Sequence, residues 1–499
     1  MRRRQEYLPD EISAGAVPGQ IVSGGLWSGA GLAANLLLQF IRSMVLARLL
    51  PPAAFGVLSL ASIFTQFILL FANFGFTSSI IYGRRLAKSD LSTCWWGNLI
   101  VDTGAAALCC LFAFTGARFL NTPEVKWLIV LLSVQFLFGG AGGMHWALVR
   151  RQFRFRDSTL VSFGAAVIAF ALAWFLVAVL RWGVFGVVVS MIVGTAVTNL
   201  AFLFVIPWLP SWEFSLTVLK KHARYGRWFL GTNVLNYCNQ NMERALIGTT
   251  LSSTQLGYYG YASDLPTTAT TQLSYALNSV LFPAFASLQD DLAELRRVLL
   301  RVTRFQSLIV YPLLTGLALT GTEFVRVAYG TMWSPIVGPL RIFCLFGMIR
   351  LLTSSADTLC AGVGKPHMPF KWSLIALPFN AALLWGSVQA GGLTGVALAK
   401  LFLPTFLLAT LAVEITRAVG MPFRQVGRAA LPALVCCLAM SAVVLGIGVL
   451  LGLYGASPIM QLALKIPTGA LAYTMALRLF YPQDFTDVLS LAKRLRPNM

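Results

Sequence analysis

Long apolar runs, each followed by a short polar connection, repeat from one end of the chain to the other. A run of roughly 18 or more apolar residues can cross the hydrocarbon core of a bilayer as a helix. The pattern therefore predicts an all-α polytopic membrane protein with about fourteen transmembrane helices. The predicted spans are 21–48, 54–81, 95–118, 124–148, 158–180, 183–207, 228–249, 255–283, 302–321, 335–361, 369–389, 391–415, 429–452 and 458–479.

The connections between these spans alternate in charge. About 27 Lys and Arg residues lie in one alternating set of connections and about five lie in the other. Cytoplasmic loops of membrane proteins carry the excess of Lys and Arg, so the first set and both termini are predicted to be cytoplasmic. Segments 292–305 and 484–496 have the pattern of helices that lie on the inner surface, although a solvated charged face explains them equally well.

Composition narrows the class further. The 499 residues are 57% hydrophobic and 11% charged, with a mean hydropathy of +0.74, which leaves no room for a sizeable soluble domain. The net charge of +20 is spread over short loops, so it does not indicate nucleic-acid binding. The eight cysteines lie in apolar stretches without ligand spacing, and we interpret them as packing residues. The chain has no GxxxxGK[ST] motif, so we expect no nucleotide-driven motor. No cofactor and no metal ligand set is predicted.

The sequence also contains an internal repeat. LLPPAAFGVLSLAS (49–62) aligns with TTLSSTQLGYYGYAS (249–263) at an offset of 201, and GVFGVVVS (183–190) aligns with GLTGVALA (392–399) at an offset of 209. The repeat holds six helices, an even number, so its two copies are parallel, as in transporters with two rocking lobes. The predicted organisation is a cytoplasmic segment 1–20, a six-helix lobe 21–208, a cytoplasmic linker 209–227, a second six-helix lobe 228–416, two additional spans in 429–479 and a cytoplasmic tail 480–499.

Predicted span 228–249 carries a polar stripe. One side of its helical wheel holds Asn233, Asn236, Tyr237, Gln240, Asn241, Glu243 and Arg244. Lipid cannot satisfy amide groups, so this side is expected to face a bundle interior or a watery cavity. Two alternatives remain open: the amides could bond to neighbouring helices, and Glu243 and Arg244 could extend to the membrane surface.

Several charged residues fall inside predicted spans, where charge is costly and usually functional. Arginine donates two hydrogen bonds to phosphate oxygens from one planar group. The candidate substrate-binding residues are Arg42, Arg244, Arg341, Arg350, Asn233, Asn236 and Gln240. The candidate ion-coupling residues are Asp102, Asp264 and Asp357, since burial raises the affinity of a carboxylate for protons. The alternative is pairing within the protein, for instance of Arg350 with Asp357, without any ligand.

Over about residues 20–480 the chain resembles the Wzx-type polysaccharide-synthesis flippases of the multidrug/oligosaccharidyl-lipid/polysaccharide exporter superfamily. The segments that carry the resemblance are VLARLLPPAAFGVLSLAS (45–62), RRQFRF (150–155), NMERALIGTTLSSTQLGYY (241–259), VLFPAFASLQDD (280–291) and GTMWSPIVGPLRI (330–342). The resemblance implies a flippase rather than an enzyme, with two lobes around a cationic cavity. Its substrate would be undecaprenyl-pyrophosphate-linked oligosaccharide, moved across the bacterial inner membrane for exopolysaccharide, capsule or O-antigen synthesis. A polysaccharide polymerase and a chain-length regulator are the expected partners, beside the lipid bilayer.

Three alternatives remain. A drug/cation antiporter of the same superfamily is expected to have an acidic cavity, whereas the predicted intramembrane charges lean cationic. A peptidoglycan-precursor flippase of that superfamily is the second alternative. A membrane glycosyltransferase or polymerase would need a large outer loop with paired carboxylates, and the predicted outer connections are mostly shorter than about fifteen residues. Asp264 departs from the family pattern, in which a basic or neutral residue is usual.

Overall fold

The computed structural model describes residues 17–72, 88–115, 123–152, 154–289, 291–362, 367–422 and 424–494. Within these ranges every regular element is a helix. The α-helices are α1 Val17–Leu49, α2 Pro52–Ala72, α3 Lys88–Thr115, α4 Pro123–Arg151, α5 Phe155–Trp174, α6 Val184–Val205, α7 Leu216–Thr250, α8 Ser253–Ser287, α9 Leu292–Leu319, α10 Gly321–Ala328, α11 Val337–Gly362, α12 His367–Ala399, α13 Phe402–Val419, α14 Arg424–Leu453, α15 Pro458–Phe480 and α16 Pro482–Arg494. A π-helical turn, Phe175–Val179, extends α5, and a 3₁₀ turn, Thr331–Ile336, precedes α11.

Ten helical segments in the described residues are long and apolar enough to cross a membrane. They correspond to α1 to α6, α9, α11 with its preceding turn, α12 and α14. Predicted spans 228–249, 255–283 and 458–479 lie within α7, α8 and α15, whereas predicted span 391–415 covers the end of α12, from Gly392, and most of α13. The polar side chains of α7 and α8 lower their hydropathy, as expected of helices that line a polar interior. The all-α polytopic class is confirmed, and the count of about fourteen spans stays a prediction.

Contacts divide the chain into two compact units, residues 1–257 and 258–499. In unit 1, α4 packs along α3 and α6, α6 packs against α5, and α5 packs against α1. In unit 2, α14 lies between α9 and α15, and α11 packs against α9 and α13. From the sequence, the helix of residues 228–249 was predicted to be the first helix of the second lobe. In the structure that helix is α7, which contacts α2 and α3 within unit 1; the lobe boundaries themselves stay predictions.

The cysteines contribute to the apolar cores. Cys94 is fully buried beside Leu91, Met144 and Phe202 in unit 1, and Cys436 is fully buried in the main cluster of unit 2. All eight cysteines are free. Six of them are buried, and Cys110 and Cys238 are half-buried. The prediction of small packing residues is therefore confirmed for the six buried cysteines.

Backbone geometry supports the second repeat alignment. Gly183, just before α6, has φ 58° and ψ −135°, and Gly392, within α12, has φ 52° and ψ −139°. These positions are related by the offset of 209, and each begins a helical segment after a conformation that residues with a side chain rarely adopt. Gly392 interrupts α12 at the boundary that the sequence predicted between spans 369–389 and 391–415.

A close crossing of α2 and α8 supports the first alignment. A Cβ atom built on Gly56 would overlap the carbonyl oxygen of Ser253, and one built on Gly257 would overlap the carbonyl oxygen of Pro52. The offset of 201 relates Gly56 to Gly257 and also Pro52 to Ser253. The contact is therefore reciprocal between equivalent positions of the repeat, and all four residues belong to unit 1.

One expectation about surface helices was wrong. Residues 292–305 do not form a separate helix, because α9 continues unbroken from Leu292 to Leu319. Asp291 fixes its first turn, with one carboxylate oxygen accepting hydrogen bonds from Ala293 N at 3.1 Å and Glu294 N at 3.0 Å. No helix-breaking residue separates the basic first half from the apolar second half, so the two halves form one helix.

Two ion pairs connect helices within unit 2. Arg304 Nη2 lies 2.5 Å from Asp484 Oδ2, which attaches the predicted tail helix, α16, to α9. Lys465 Nζ lies 2.6 Å from Glu323 Oε1 and 3.2 Å from Gln461 Oε1. Lys465, an intramembrane charge in the sequence, thus has a partner on α10, which offsets the cost of its burial.

Candidate functional site

A polar cavity lies inside unit 1. It is about 530 Å³ in volume, and residues of α2, α3, α4, α6 and α7 line it. Asp102 lies on its wall as the fifteenth of the 28 residues of α3, so the carboxylate is midway along a membrane helix. Asp102 is the one charged side chain among the described lining residues.

The first wall of the cavity is one face of α2. Ser62, Thr65, Gln66 and Leu69 line the cavity, and their spacing of three and four residues places them on the same side of a helix. The sequence of α2 thus produces a polar stripe in a helix that is otherwise strongly apolar.

Three amide side chains line the same cavity as the Asp102 carboxylate. Asn98 lies one turn before Asp102 on α3, Gln66 comes from α2, and Gln135 comes from α4. In the part of the chain that the structure describes, these four side chains have no hydrogen bond to protein atoms. Polar groups in this condition require water or a ligand. Gly140 makes room for the acid, since a Cβ there would lie 2.9 Å from Asp102 Oδ2.

Three of the four hydroxyl groups that line the cavity donate to backbone carbonyls. Thr65 Oγ1 donates to Ala61 O at 3.1 Å, Thr195 Oγ1 donates to Met191 O at 3.0 Å, and Tyr237 Oη donates to Ile63 O at 2.6 Å. Each hydroxyl proton is thereby used, and the oxygen lone pairs remain as acceptors. The cavity thus offers many oxygen acceptors, while its donors are the amide groups and the hydroxyl of Ser62.

An apolar groove adjoins the cavity. It has a volume of about 230 Å³ between α2 and α7, and Ile63, Phe64, Phe67, Tyr237 and Met242 are among its lining residues. Tyr237 lines both spaces. Its ring and its hydrogen bond to α2 therefore form part of the wall between a polar cavity and an apolar groove.

The residues of the predicted polar face of α7 differ in their exposure in the structure. Glu243 is only 2% exposed and Asn239 8%, whereas the Asn236 and Gln240 side chains are exposed. The alternative in which Glu243 extends to the membrane surface is therefore wrong. Asn239 was missed by the sequence analysis, although it lies four residues before Glu243 and thus on the same face. Asn233 is half-buried.

The candidate arginines do not line this cavity. Arg42 on α1 and Arg244 on α7 are half-buried in unit 1. In unit 2, Arg341 donates to Ala318 O at 3.2 Å and to Thr322 Oγ1 at 3.4 Å. Arg350 is exposed and is the fourteenth of the 26 residues of α11.

The three candidate aspartates have different surroundings. Asp102 lines the cavity. Asp264 on α8 is exposed, and Asp357 on α11 is half-buried. Arg350 and Asp357, both within the described residues, form no ion pair in the structure. The structure thus places one of the three acids, together with Tyr237 of the predicted polar stripe, at one polar site.

The chain is similar to a protein family, to individual relatives and to a solved structure that are all connected with cell-surface polymer synthesis or lipid-linked precursors. The model of the family described as polysaccharide biosynthesis protein matches residues 45–338. The chain is 26% identical over 381 residues to the lipopolysaccharide biosynthesis protein WzxC of Escherichia coli (strain K12), covering 76% of this chain and 77% of that protein. It is 24% identical over 480 residues to the teichuronic acid biosynthesis protein TuaB of Bacillus subtilis (strain 168), covering 94% and 98%. Its fold is similar to that of the lipid II flippase MurJ in the inward closed conformation, with a TM-score of 0.75, 15% identity, and coverage of 92% of this chain and 99% of that chain.

Proposed function

We propose, for a chain that belongs to the polysaccharide biosynthesis protein family, that it is a flippase for undecaprenyl-pyrophosphate-linked oligosaccharide repeat units. It moves them from the inner to the outer leaflet of the bacterial inner membrane for exopolysaccharide, capsule or O-antigen synthesis. It works by alternating access of two lobes. It is a carrier and not an enzyme, and its chemistry is limited to binding and release.

The observation that carries this proposal is the shared wall at Tyr237. A polyprenyl-linked saccharide has a polar head and a long apolar chain. The polar cavity with its unpartnered amides suits a hydroxyl-rich head, and the adjoining groove suits a hydrocarbon chain. Ligand pockets in proteins are typically about 300–1,000 Å³ in volume. A cavity of about 530 Å³ can therefore hold part of a polyprenyl-linked saccharide. A substrate that was polar throughout would have no use for the apolar groove.

The pyrophosphate is assigned to the arginines. Arg42, Arg244, Arg341 and Arg350 are the proposed cations, with Asn233, Asn236 and Gln240 as further polar contacts. Arg350 lies near the middle of α11, and its side chain is exposed. Because hydrocarbon cannot solvate a guanidinium, this side chain must face water or a ligand. Energy would enter through an ion gradient coupled to Asp102, Asp264 or Asp357. A polymerase and a chain-length regulator would receive the product.

Deletion of the gene tests the function directly. The deletion strain is expected to lose surface or secreted polysaccharide and to accumulate the complete lipid-linked repeat unit on the inner leaflet. Lipid extraction followed by mass spectrometry measures the accumulated species, and re-expression of the chain is the control. Accumulation of an incomplete repeat unit would contradict the proposal and indicate a glycosyltransferase.

Topology is tested with reporter fusions. The asymmetry of about 27 to five basic residues predicts cytoplasmic termini. Fusions after residues 52, 121 and 325 are expected to report an outside location, and those after 87, 153 and 499 an inside location. An inverted or shifted pattern would refute the proposed orientation in the inner membrane.

A second candidate is a drug/cation antiporter, and the acidic residue in the cavity favours it. This function predicts that the deletion strain becomes sensitive to lipophilic cations while its polysaccharide is unchanged. Growth inhibition by a cationic dye, measured beside polysaccharide yield, separates the two candidates.

A further inference from the structure

The arginines at the helix ends proposed to be cytoplasmic differ in whether the protein supplies them with a partner. Those that contact an aromatic ring or a carboxylate include Arg150, Arg154, Arg156, Arg297 and Arg304. Those that are exposed and have no hydrogen bond, ion pair or ring contact, among the described residues at these ends, are Arg301, Arg424, Arg428 and Arg478. All four belong to unit 2. Their guanidinium groups are therefore available to an anion from outside the protein.

Two of these arginines form a pair on α14. Arg424 and Arg428 lie one turn apart on the same side of the helix, and both side chains are exposed. Like charges at this spacing destabilise a helix slightly, unless an anion binds between them. The buried carboxylate of the tail helix, Asp484, does not serve them, because it pairs with Arg304 on α9. A Cβ built on the neighbouring Gly427 meets no atom within 4 Å, so the space beside the pair is open.

The same side of α14 continues as an apolar ridge, which consists of Leu431, Leu438 and Leu445. These residues follow Arg424 at intervals of seven, so they share its side of the helix, and all three are exposed. The opposite side of α14 is buried against α9 and α15. From Arg428 to Leu438 the helix rises about 15 Å, which is half of the hydrocarbon thickness of about 30 Å. The leucine ridge therefore matches the acyl chain of one leaflet in length.

We propose that this side of α14 binds an anionic phospholipid, with Arg424 and Arg428 on its phosphodiester and the leucine ridge along one acyl chain. The lipid belongs to the leaflet that meets this end of α14, which is the inner leaflet in the proposed orientation. Two planar guanidinium groups bind phosphate oxygens through paired hydrogen bonds. A zwitterionic lipid fits less well, because its own ammonium group competes for the phosphate. The residues of this site do not line the polar cavity or the apolar groove of unit 1, and the proposal does not depend on the transport function.

A simpler role for the pair is to orient the membrane span. Positive charge at a cytoplasmic helix end fixes the topology of a helix, and lysine serves that purpose as well as arginine. A headgroup site makes a different demand, since only arginine presents a planar fork to the phosphate. Replacement of both arginines by lysine therefore separates the two roles.

A matched control pair lies on α9. Arg297 and Arg301 have the same four-residue spacing as the pair on α14, and a shared cluster that contains Leu299 and Val426 places the first turns of the two helices side by side. Arg297, however, pairs with Glu294 at 2.9 Å. Seven residues after Arg301, where α14 has an exposed leucine, Leu308 is buried. The pair on α9 thus has the charge without the apolar ridge.

The test uses the purified full-length protein in a neutral detergent. Phosphatidylglycerol or phosphatidylcholine with the same acyl chains is added, and soluble glycerol phosphate forms a third series. A ligand that binds the folded state raises the midpoint of thermal unfolding with its concentration. Phosphatidylglycerol is expected to raise the midpoint at a lower concentration than phosphatidylcholine, and glycerol phosphate is expected to have no effect at the same concentrations. Native mass spectrometry of the same samples counts the bound lipids.

Paired substitutions locate the site. Arg424→Gln with Arg428→Gln is expected to raise the half-effective concentration of phosphatidylglycerol about thirtyfold, because each basic residue near an anionic membrane surface contributes about fivefold in affinity. Arg424→Lys with Arg428→Lys is expected to give a smaller rise, since the charge stays and the fork is lost. Arg297→Gln with Arg301→Gln is expected to leave the lipid response unchanged.

Four results would overturn the proposal. They are an equal response of the wild-type protein to both lipids, a glycerol phosphate response equal to that of phosphatidylglycerol, an undiminished response in the double glutamine variant, and a double lysine variant that equals the wild type. The lysine variant keeps the charge that orients α14, so it remains informative if the glutamine variant fails to insert. Lipid accumulation in the deletion strain judges the transport function separately, so either idea can fail while the other holds.

Discussion

Replacing Arg350 by alanine is expected to abolish flipping while the protein remains inserted in the membrane. Arg350 lies roughly 20 Å from either end of α11 at about 1.5 Å per residue, and its side chain is exposed there. Each hydrogen bond to a charged group contributes about 1.5–3 kcal/mol. Loss of a bidentate contact to pyrophosphate would therefore reduce transport by about a hundredfold or more. Polysaccharide yield and lipid-linked repeat units, measured in the complemented deletion strain, report the loss.

Matched variants distinguish a substrate-binding role of Arg350 from a structural one. Arg350→Lys keeps the charge without the planar fork, so partial activity is expected. Arg326→Ala removes another exposed arginine of unit 2, outside the proposed site, and should leave flipping unchanged. A structural pairing of Arg350 with Asp357 predicts that the double exchange, Arg350→Asp with Asp357→Arg, restores function. Full rescue by that exchange would contradict the substrate-binding role proposed for Arg350.

Substituting alanine at Gly56 or Gly257 is expected to destabilise the protein strongly. In each case the new methyl group would meet a backbone carbonyl oxygen of the opposite helix, which cannot rotate away as a flexible side chain would. Overpacking of this kind typically costs about 1–3 kcal/mol, and more where the backbone must move. The midpoint of thermal unfolding in detergent and the yield of folded protein measure the effect.

The repeat supplies controls for this prediction. Gly260→Ala, one turn after Gly257 on α8, meets no atom within 4 Å, so a neutral or slightly stabilising effect is expected. Because the two contacts are reciprocal, separating the helices once relieves both clashes. The double variant, Gly56→Ala with Gly257→Ala, should therefore lose less stability than the sum of the two single variants. If Gly56→Ala is as stable as Gly260→Ala, the close crossing of α2 and α8 does not form.

The sequence alone determined the membrane class, the approximate positions of the helices and the internal repeat. These properties are local: a run of apolar residues of sufficient length must be a helix in lipid, because its backbone has no other source of hydrogen bonds. The repeat was visible because a positive φ at Gly183 and Gly392, and a close approach at Gly56 and Gly257, each require the absence of a side chain.

The tertiary structure decided which polar side chains share a site. Periodicity placed Tyr237 on the polar face of one helix, and Asp102 was predicted as a charge inside another span, far away in the sequence. Nothing in either helix indicates that both line one cavity with Gln66 and Gln135. The burial of Glu243 and the bonds of Arg341 to Ala318 and Thr322 were equally beyond local reasoning. A helix specifies its own polar face through its own residues, whereas the partner of that face depends on packing among all the helices of the unit.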